Sequence, residues 1–280
     1  MFTHLSDRAK AFLFYTIALG LTLSVSMLLP PFLGESAVLI HMFTPLIATL
    51  LMLLVVTRDG YTKTGWAALG MQRAGFRAWG LALLVPFLVL GFGYSVLWLT
   101  GIGSFAVPVG GIPVTLPLLL VVSIVNDSLT GFGEEIGFRG YLLPQLAGLG
   151  RRRALLLSGL LHAIWHMPIL LLTPYYHDAG NLLIVVPLFL ATLTLAGVFY
   201  GHLRLTTESV WPSTLAHGAF NTFWSTFTAF TVTASPLALE YLAGETGILP
   251  LTATAVVAGW VLYGLNQPMS KVRVQAAQTF

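Results

Sequence analysis

Long apolar runs, separated by charged residues, make up most of the chain. Most of these runs have the twenty or so residues that a helix needs to cross a bilayer. They predict eight membrane spans, at residues 11–29, 38–56, 79–99, 116–146, 153–173, 181–200, 208–230 and 246–266. The predicted fold class is therefore all-α, as a polytopic membrane protein.

The composition excludes an ordinary soluble protein. Hydrophobic residues make up 56% of the 280 residues and charged residues 8%, against about 45–50% and about 25% in typical soluble domains. Without cysteine, the chain has no disulfide framework, thiolate zinc site or cysteine nucleophile. The net charge is only +3, which gives no reason to expect a nucleic-acid partner. No repeat or soluble extra domain is visible, so we expect a single transmembrane domain over residues 1–280.

The charges predict the orientation of the spans. With eight spans, every Lys and Arg falls on one side of the membrane, whereas the loops of the other side hold acidic residues. Those acidic residues are Glu35, Asp178, Glu240 and Glu245. Because basic loops stay in the cytoplasm, we expect a protein of the cell membrane with both termini cytoplasmic.

Three of the predicted spans carry polar residues that are costly inside a bilayer. Such residues usually face one another or a cavity. They are Glu134, Glu135 and Arg139 in span four, His162 and His166 in span five, and His217 and Asn221 in span seven. At about 1.5 Å per helical residue, the three clusters lie at similar depths. We therefore expect them to meet around a cavity that opens to the cytoplasm.

These residue types suit hydrolysis of an amide bond. A carboxylate beside a neutral imidazole can take a proton from water. An imidazole and a carboxamide, such as His217 and Asn221, can donate hydrogen bonds to a developing oxyanion. Glu135 and Arg139 are four residues apart and can form an ion pair on one helical face. The remaining histidines, His41, His177 and His202, are interpreted as ordinary polar residues.

A metal site is the alternative use of the same side chains. His162 and His166 have the spacing of two zinc ligands on one helix. A nitrogen of His217 and an oxygen of Glu134 could complete the site. Spacing alone leaves a zinc site and a metal-free site equally open.

The motifs resemble those of the CAAX-protease and bacteriocin-processing family of intramembrane endopeptidases, which includes the type II CAAX prenyl endopeptidases. The family motif E-E-x-x-x-R matches Glu134 to Arg139, the motif aromatic-x-x-x-H matches at His166, and H-x-x-x-N matches His217 and Asn221. The resemblance extends over about residues 116–225, the predicted catalytic core. His162 departs from it, since it occupies the aromatic position of the second motif.

The resemblance implies a glutamate-dependent protease that acts on a peptide or protein in or at the membrane. Glu134 and His166 would activate water, and His217 and Asn221 would stabilise the oxyanion. Glu135 and Arg139 would support the site, with His162 as a further supporting residue or an extra ligand. If a metal is present, we expect Glu134, His166 and His217 to be its ligands. A prenyl group on the substrate is left open.

Two other classes of function remain alternatives. A non-catalytic membrane protein could bind a peptide, or provide self-immunity to a bacteriocin, with the same pocket. A proton-coupled transporter could use Glu and His as a proton relay. The transporter would show symmetry between the two halves of the chain, whereas the clusters are confined to spans four, five and seven.

Overall fold

A computed structural model describes residues 5–107, 111–177 and 180–265 of the chain. It is 79% helical with little sheet, which confirms the predicted all-α polytopic fold. Asp178, Lys271 and Arg273, whose charges entered the topology prediction, lie outside the described residues.

The described α-helices are α1 Asp7–Leu28, α2 Pro30–Leu33, α3 Ser36–Leu51, α4 Lys63–Ala67, α5 Trp79–Leu99, α6 Leu116–Glu135, α7 Leu143–Gln145, α8 Arg151–Trp165, α9 Met167–Leu172, α10 Leu182–Thr207, α11 Trp211–Ala229, α12 Pro236–Ala238 and α13 Ile248–Gly264. Three π-helices interrupt or extend them, at Met52–Val56, Ile136–Leu142 and Leu239–Ala243. Short 3₁₀ turns lie at Asp59–Tyr61, Phe76–Ala78 and Ala147–Leu149. The strands β1 Gly103–Phe105 and β2 Thr231–Thr233 pair antiparallel, with Gly103 opposite Thr233.

Among the described residues, seven helical segments are long and apolar enough to cross a membrane. They are Asp7–Leu28, Ser36–Val56, Phe76–Leu99, Leu116–Gln145, Arg151–Leu172, Leu182–Thr207 and Pro236–Gly264. The eighth predicted span, 208–230, is present as the 19-residue helix α11 but is not one of the seven. Its hydroxyl residues, His217 and Asn221 lower its hydropathy. The same polar residues make α11 part of the site.

Local sequence explains where the helices begin and why they tolerate proline. Ser6 accepts a hydrogen bond from the amide of Ala9 at the start of α1, and Asn181 does the same for Leu183 at the start of α10. Such caps satisfy amides that have no partner within the helix. Pro45 and Pro86 lie inside α3 and α5, as is tolerated in membrane helices whose neighbours satisfy the freed backbone groups.

Small residues let α8 approach α10 closely. A Cβ on Gly159 would lie 2.3 Å from the carbonyl oxygen of Thr194, and one on Gly197 would lie 2.5 Å from the Cα of Gly159. The Gly197 Cβ would also lie 2.9 Å from Nη2 of Arg139. Interfaces of small residues are a common way to bring membrane helices together. The absence of a Cβ on Gly197 also leaves room for the buried guanidinium of Arg139 beside His162.

A hydrophobic core lies towards one end of the bundle. The π-helix Ile136–Leu142 is buried throughout, and Phe138 and Leu142 pack with Phe14 of α1 and Trp165 of α8. Phe14 and Phe138 meet edge to face, with ring centroids 6.2 Å apart. This core follows directly after the polar residues at the end of α6. It lies on the side of the bundle that carries the arginine cluster 151–153.

Candidate active site

The ends of α6 and α8 and the middle of α11 bring the predicted polar residues together. Glu134 and Glu135 are the last residues of α6, and Arg139 lies in the π-helix that follows. His162 lies in the last turn of α8, and His166 is the residue that caps that helix. His217 and Asn221 lie on α11. A π-helix next to such a cluster is common at functional sites.

Glu134 is the centre of the cluster. Its Oε2 lies 2.8 Å from Nε2 of His162, 3.7 Å from Nε2 of His166 and 3.9 Å from Nε2 of His217. The side chain is 1% exposed. Only the first distance is that of a hydrogen bond. Glu134 is therefore held by His162 and faces the other two imidazoles across short gaps.

Arg139 determines which nitrogen of His162 carries the proton. Nη1 of Arg139 lies 2.8 Å from Nδ1 of His162 and 2.9 Å from Oε1 of Glu135. A guanidinium only donates hydrogen bonds, so Nδ1 of His162 must accept. The proton of the neutral imidazole is then on Nε2, from which it is donated to Glu134. His162 thus joins Arg139 to Glu134.

Glu135 joins Arg139 to His217 through hydrogen bonds. Its Oε1 accepts from Arg139 and lies 3.0 Å from Nδ1 of His217. The 2.9 Å contact between Arg139 and Glu135 confirms the predicted i,i+4 ion pair, and both side chains are fully buried. The imidazole of His217, on α11, adds a third member to this pair. Tyr200, which the sequence interpretation missed, stacks on His217 with ring centroids 5.8 Å apart.

The hydrogen-bond partner of His166 shows which of its ring nitrogens carries the proton. Nδ1 of His166 lies 3.1 Å from the carbonyl oxygen of His162, and since a carbonyl only accepts, Nδ1 of His166 is the donor. Nε2 of the neutral ring then has a lone pair on the side of Glu134. The cluster contains two carboxylates and one guanidinium, so one proton shared between Glu134 and the imidazoles would balance its charge.

A cavity of about 420 Å³ adjoins the cluster. Its walls are mainly apolar and aromatic, and Glu134, His162, His166, His217 and Asn221 all lie on them. Asn221 has no hydrogen bond to another described residue, which leaves its carboxamide available on the wall. The volume of the cavity is within the range of about 300–1,000 Å³ that is usual for ligand pockets.

The cavity extends away from the basic end of the bundle. Val38, Tyr175, Tyr176 and Glu245 line its far part, whereas 151–153 do not contribute to its lining. The expected opening beside those arginines is therefore wrong. The physical reason is the hydrophobic core around Phe138 and Leu142, which lies between the polar cluster and that end of the bundle.

Glu134, His162 and His166 form a buried group that could hold a metal ion, since one ligand atom from each lies within 4.8 Å of the others. Their donors do not fit equally well. Nε2 of His166 has a free lone pair, but Nε2 of His162 carries the proton that Glu134 accepts. His162 could bind a metal only if the hydrogen bond from Arg139 were broken. The tautomers therefore favour His166 and Glu134 over His162 as ligands.

A second polar cluster lies beside the far part of the cavity. Nδ1 of His177 lies 2.6 Å from Oε1 of Glu240, its Nε2 lies 3.2 Å from Oε2 of Glu245, and Tyr176 donates to the same oxygen at 2.8 Å. His177 therefore joins the segment before α10 to the segment before α13. The sequence interpretation missed this cluster, because Tyr176 and His177 lie more than sixty residues before the two glutamates in the chain.

This cluster predicts a pH dependence of stability. Burial lowers the pKa of His177, but hydrogen bonds and charge interactions with Glu240 and Glu245 outweigh burial and raise it to about 9. Unfolded histidine titrates at about 6.5. The stabilisation is therefore complete below about pH 6.5 and is lost as the pH rises to about 9. The thermal midpoint of the detergent-solubilised protein should exceed that of His177→Gln at pH 6, and the two should converge above about pH 9. A constant difference from pH 6 to 10 would contradict this assignment.

Comparison with known proteins relates the middle of the chain to a protein family. Residues 114–223 match the family of Rce1-like type II CAAX prenyl endopeptidases. The match confirms the resemblance indicated by the three motifs, and it contains all seven predicted site residues. A search of curated proteins finds no match to the chain. The Rce1-like family supports a CAAX-type protease in general and a multi-pass membrane protein.

Proposed function

We propose that the chain is an intramembrane endopeptidase that hydrolyses a peptide bond with water activated by Glu134 and His166. The observation that carries the proposal is the convergence of Glu134 with three imidazoles on one cavity wall. His162 donates to Glu134 and so orients its carboxylate. The substrate is a membrane-associated peptide or protein, as the family and the apolar cavity walls suggest.

The gap between Glu134 and His166 suits a water nucleophile. Oε2 of Glu134 and the lone pair of His166 Nε2 face each other at 3.7 Å, too far for a direct hydrogen bond. One water can donate to both atoms and lose a proton to Glu134 as it attacks the carbonyl carbon. The proton on Glu134 can then be passed to the leaving amine, which restores the carboxylate.

His217 and Asn221 supply the donors for the oxyanion. They lie four residues apart on α11 and both line the cavity, so they can point at one atom. The carboxamide of Asn221 donates from its NH₂ group. His217 already donates from Nδ1 to Glu135, so it donates from Nε2 as the doubly protonated imidazolium, whose charge Glu135 balances.

A metal would use a subset of the same residues. Beside Glu134, the tautomers favour His166 and His217 as its ligands, because the neutral ring of each presents a lone pair on Nε2 while Nδ1 keeps its partner. Bound zinc would supply a Lewis acid for the carbonyl and for water. The metal-free and metal-assisted proposals share Glu134 and differ in their response to a chelator.

The decisive experiment is cleavage of peptides by the purified protein in detergent. Internally quenched CAAX-type peptides, one farnesylated and one without the prenyl group, would be tested with and without a chelator. Cleavage that survives the chelator supports the metal-free proposal, and cleavage restored by zinc supports the metal-assisted one. If neither peptide is cut but both bind, the chain is the non-catalytic peptide-binding protein.

We further propose that the basic side of the bundle is cytoplasmic, so that the cavity faces the opposite side of the membrane. The chain has no native cysteine, which allows single-cysteine labelling. Tyr175→Cys, on the cavity side, should react with a membrane-impermeant maleimide added to intact cells. Arg151→Cys should react only after the cells are opened. The reverse pattern would overturn the orientation.

A further inference from the structure

His41 is a buried cavity residue that the proposed reaction does not use. It lies on α3, outside the matched segment 114–223, and is 1% exposed. Its ring stacks on Trp165 with centroids 3.9 Å apart and lies 5.5 Å from the ring of His166. Together with Val38 and Met42 it forms the α3 wall of the cavity.

Thr22 of α1 fixes the proton of His41. The Thr22 hydroxyl and Nδ1 of His41 are hydrogen-bonded, and Thr22 has no other hydrogen bond to a described residue. Thr22 is itself fully buried. If Nδ1 donated, the hydroxyl proton of Thr22 would be buried without an acceptor, which is costly. We therefore assign the hydroxyl as donor and Nδ1 as acceptor, which places the ring proton on Nε2.

The Nε2–H of His41 then has no acceptor. Among the described residues Nε2 is buried without a hydrogen-bond partner, although most buried polar groups have one. The ring cannot turn away, because Trp165 stacks on its face and Thr22 holds Nδ1. Nε1 of Trp165 in turn donates a 3.1 Å hydrogen bond to Thr44, which lies on α3 like His41.

We propose that His41 is a substrate-binding residue: its Nε2–H, which neighbouring side chains cover in this structure, is uncovered when a peptide enters the cavity and donates to a backbone carbonyl oxygen near the scissile bond. The inference rests on the proposed function for its ligand class, a peptide in the cavity. A neutral Nε2–H can only donate, and carbonyl oxygens are the acceptors that every peptide presents whatever its side chains. Its place beside His166 puts that carbonyl within a residue or two of the attacked bond.

Binding rather than cleavage is the appropriate measurement. A fluorescent farnesylated CAAX-type peptide and its unprenylated counterpart would be titrated against detergent-solubilised Glu134→Gln protein, so that no turnover occurs. In this background, Thr22→Val with His41→Phe removes both polar partners and keeps an aromatic ring on Trp165. A neutral hydrogen bond corresponds to about a threefold to tenfold weaker Kd on its removal.

A conservative variant and altered peptides identify the lost group. His41→Gln keeps an NH donor near the position of Nε2 and should bind within about twofold of the parent. Peptides in which one amide at a time is replaced by a trans-alkene lose a carbonyl without gaining charge. For one such peptide the effect of the double variant should vanish, because the partner carbonyl is already absent.

The outcomes separate this inference from the proposed function. Equal Kd for the parent, the double variant and His41→Gln, or no binding of either peptide, would overturn the role of His41. Binding that depends on His41 in a protein that never cleaves would overturn the protease proposal and leave His41 as a binding residue. Nitrogen-15 spectra of labelled histidine give a readout independent of the variants, and a His41 proton on Nδ1 would overturn the assignment.

Discussion

Glu134→Gln is expected to lower kcat/KM for peptide cleavage by about 10²–10⁴, the contribution of a general base. Gln has the shape of Glu, and its amide oxygen can accept the hydrogen bond that His162 donates to Oε2. The cluster should therefore stay assembled while the group that takes the proton from water is lost. The measurement is the rate of peptide cleavage, with the thermal midpoint in detergent as a check on folding.

Asp127→Asn provides a matched control. Asp127 is a carboxylate on the same helix, two turns before Glu134, and it lines the same cavity. It accepts a 2.6 Å hydrogen bond from Thr222, which the amide oxygen of Asn can replace. This variant should keep activity within a few fold of wild type. If Glu134→Gln were also within tenfold of wild type, Glu134 would not be the base.

The fold was predictable because apolar length is a property of the sequence alone. The expected span 116–146 corresponds to the segment Leu116–Gln145, and 153–173 corresponds to Arg151–Leu172. The exception is α11, whose polar residues lower its hydropathy although it is a helix of 19 residues. A site built into a membrane helix weakens the signal that identifies the helix. The pairing of β1 with β2 was not predicted, since each strand has only three residues.

The site was predictable only within each helix. The spacing of Glu135 and Arg139 predicted their ion pair, because positions four apart share a helical face. The contacts of His162 with Glu134 and of His217 with Glu135 join different helices, and helical spacing contains no information on which faces meet. The prediction of where the cavity opens was wrong for the same reason. It depends on the burial of Phe138 and its neighbours against α1.

His41 and His177 show what a lone residue conceals. Both were interpreted as ordinary polar residues, because a single intramembrane or loop histidine carries no motif. The partner of His41 is Thr22 on another helix, and the partners of His177 lie more than sixty residues later. What distinguishes His41 is an unpaired buried nitrogen on a cavity wall, a property that exists only in the folded chain.

Asn221→Ala is expected to lower kcat by about 10²–10³, roughly 3–4 kcal/mol of transition-state stabilisation, with little change in KM. The carboxamide of Asn221 lines the cavity beside His217 and has no hydrogen bond to another described residue, so its donors are free for the oxyanion. Ser225→Ala is the matched control. Ser225 lies one turn further along α11 on the same cavity wall, and its hydroxyl is already bonded to the carbonyl oxygen of Thr222. Its removal should leave kcat within a few fold of wild type.

Asn221→Asp separates the donor role from metal binding. Asp keeps the size of Asn but replaces the NH₂ donor with an acceptor, and an ionised carboxylate beside an oxyanion should be more damaging than Ala. Protonated Asp can donate, so the donor role predicts metal-independent activity in this variant that falls as the pH rises from mildly acidic to neutral. A metal ligand predicts the opposite order, because a carboxylate holds zinc better than Ala does. Asp activity that exceeds Ala at neutral pH and depends on added zinc would therefore replace the oxyanion role of Asn221 with a place in a metal site.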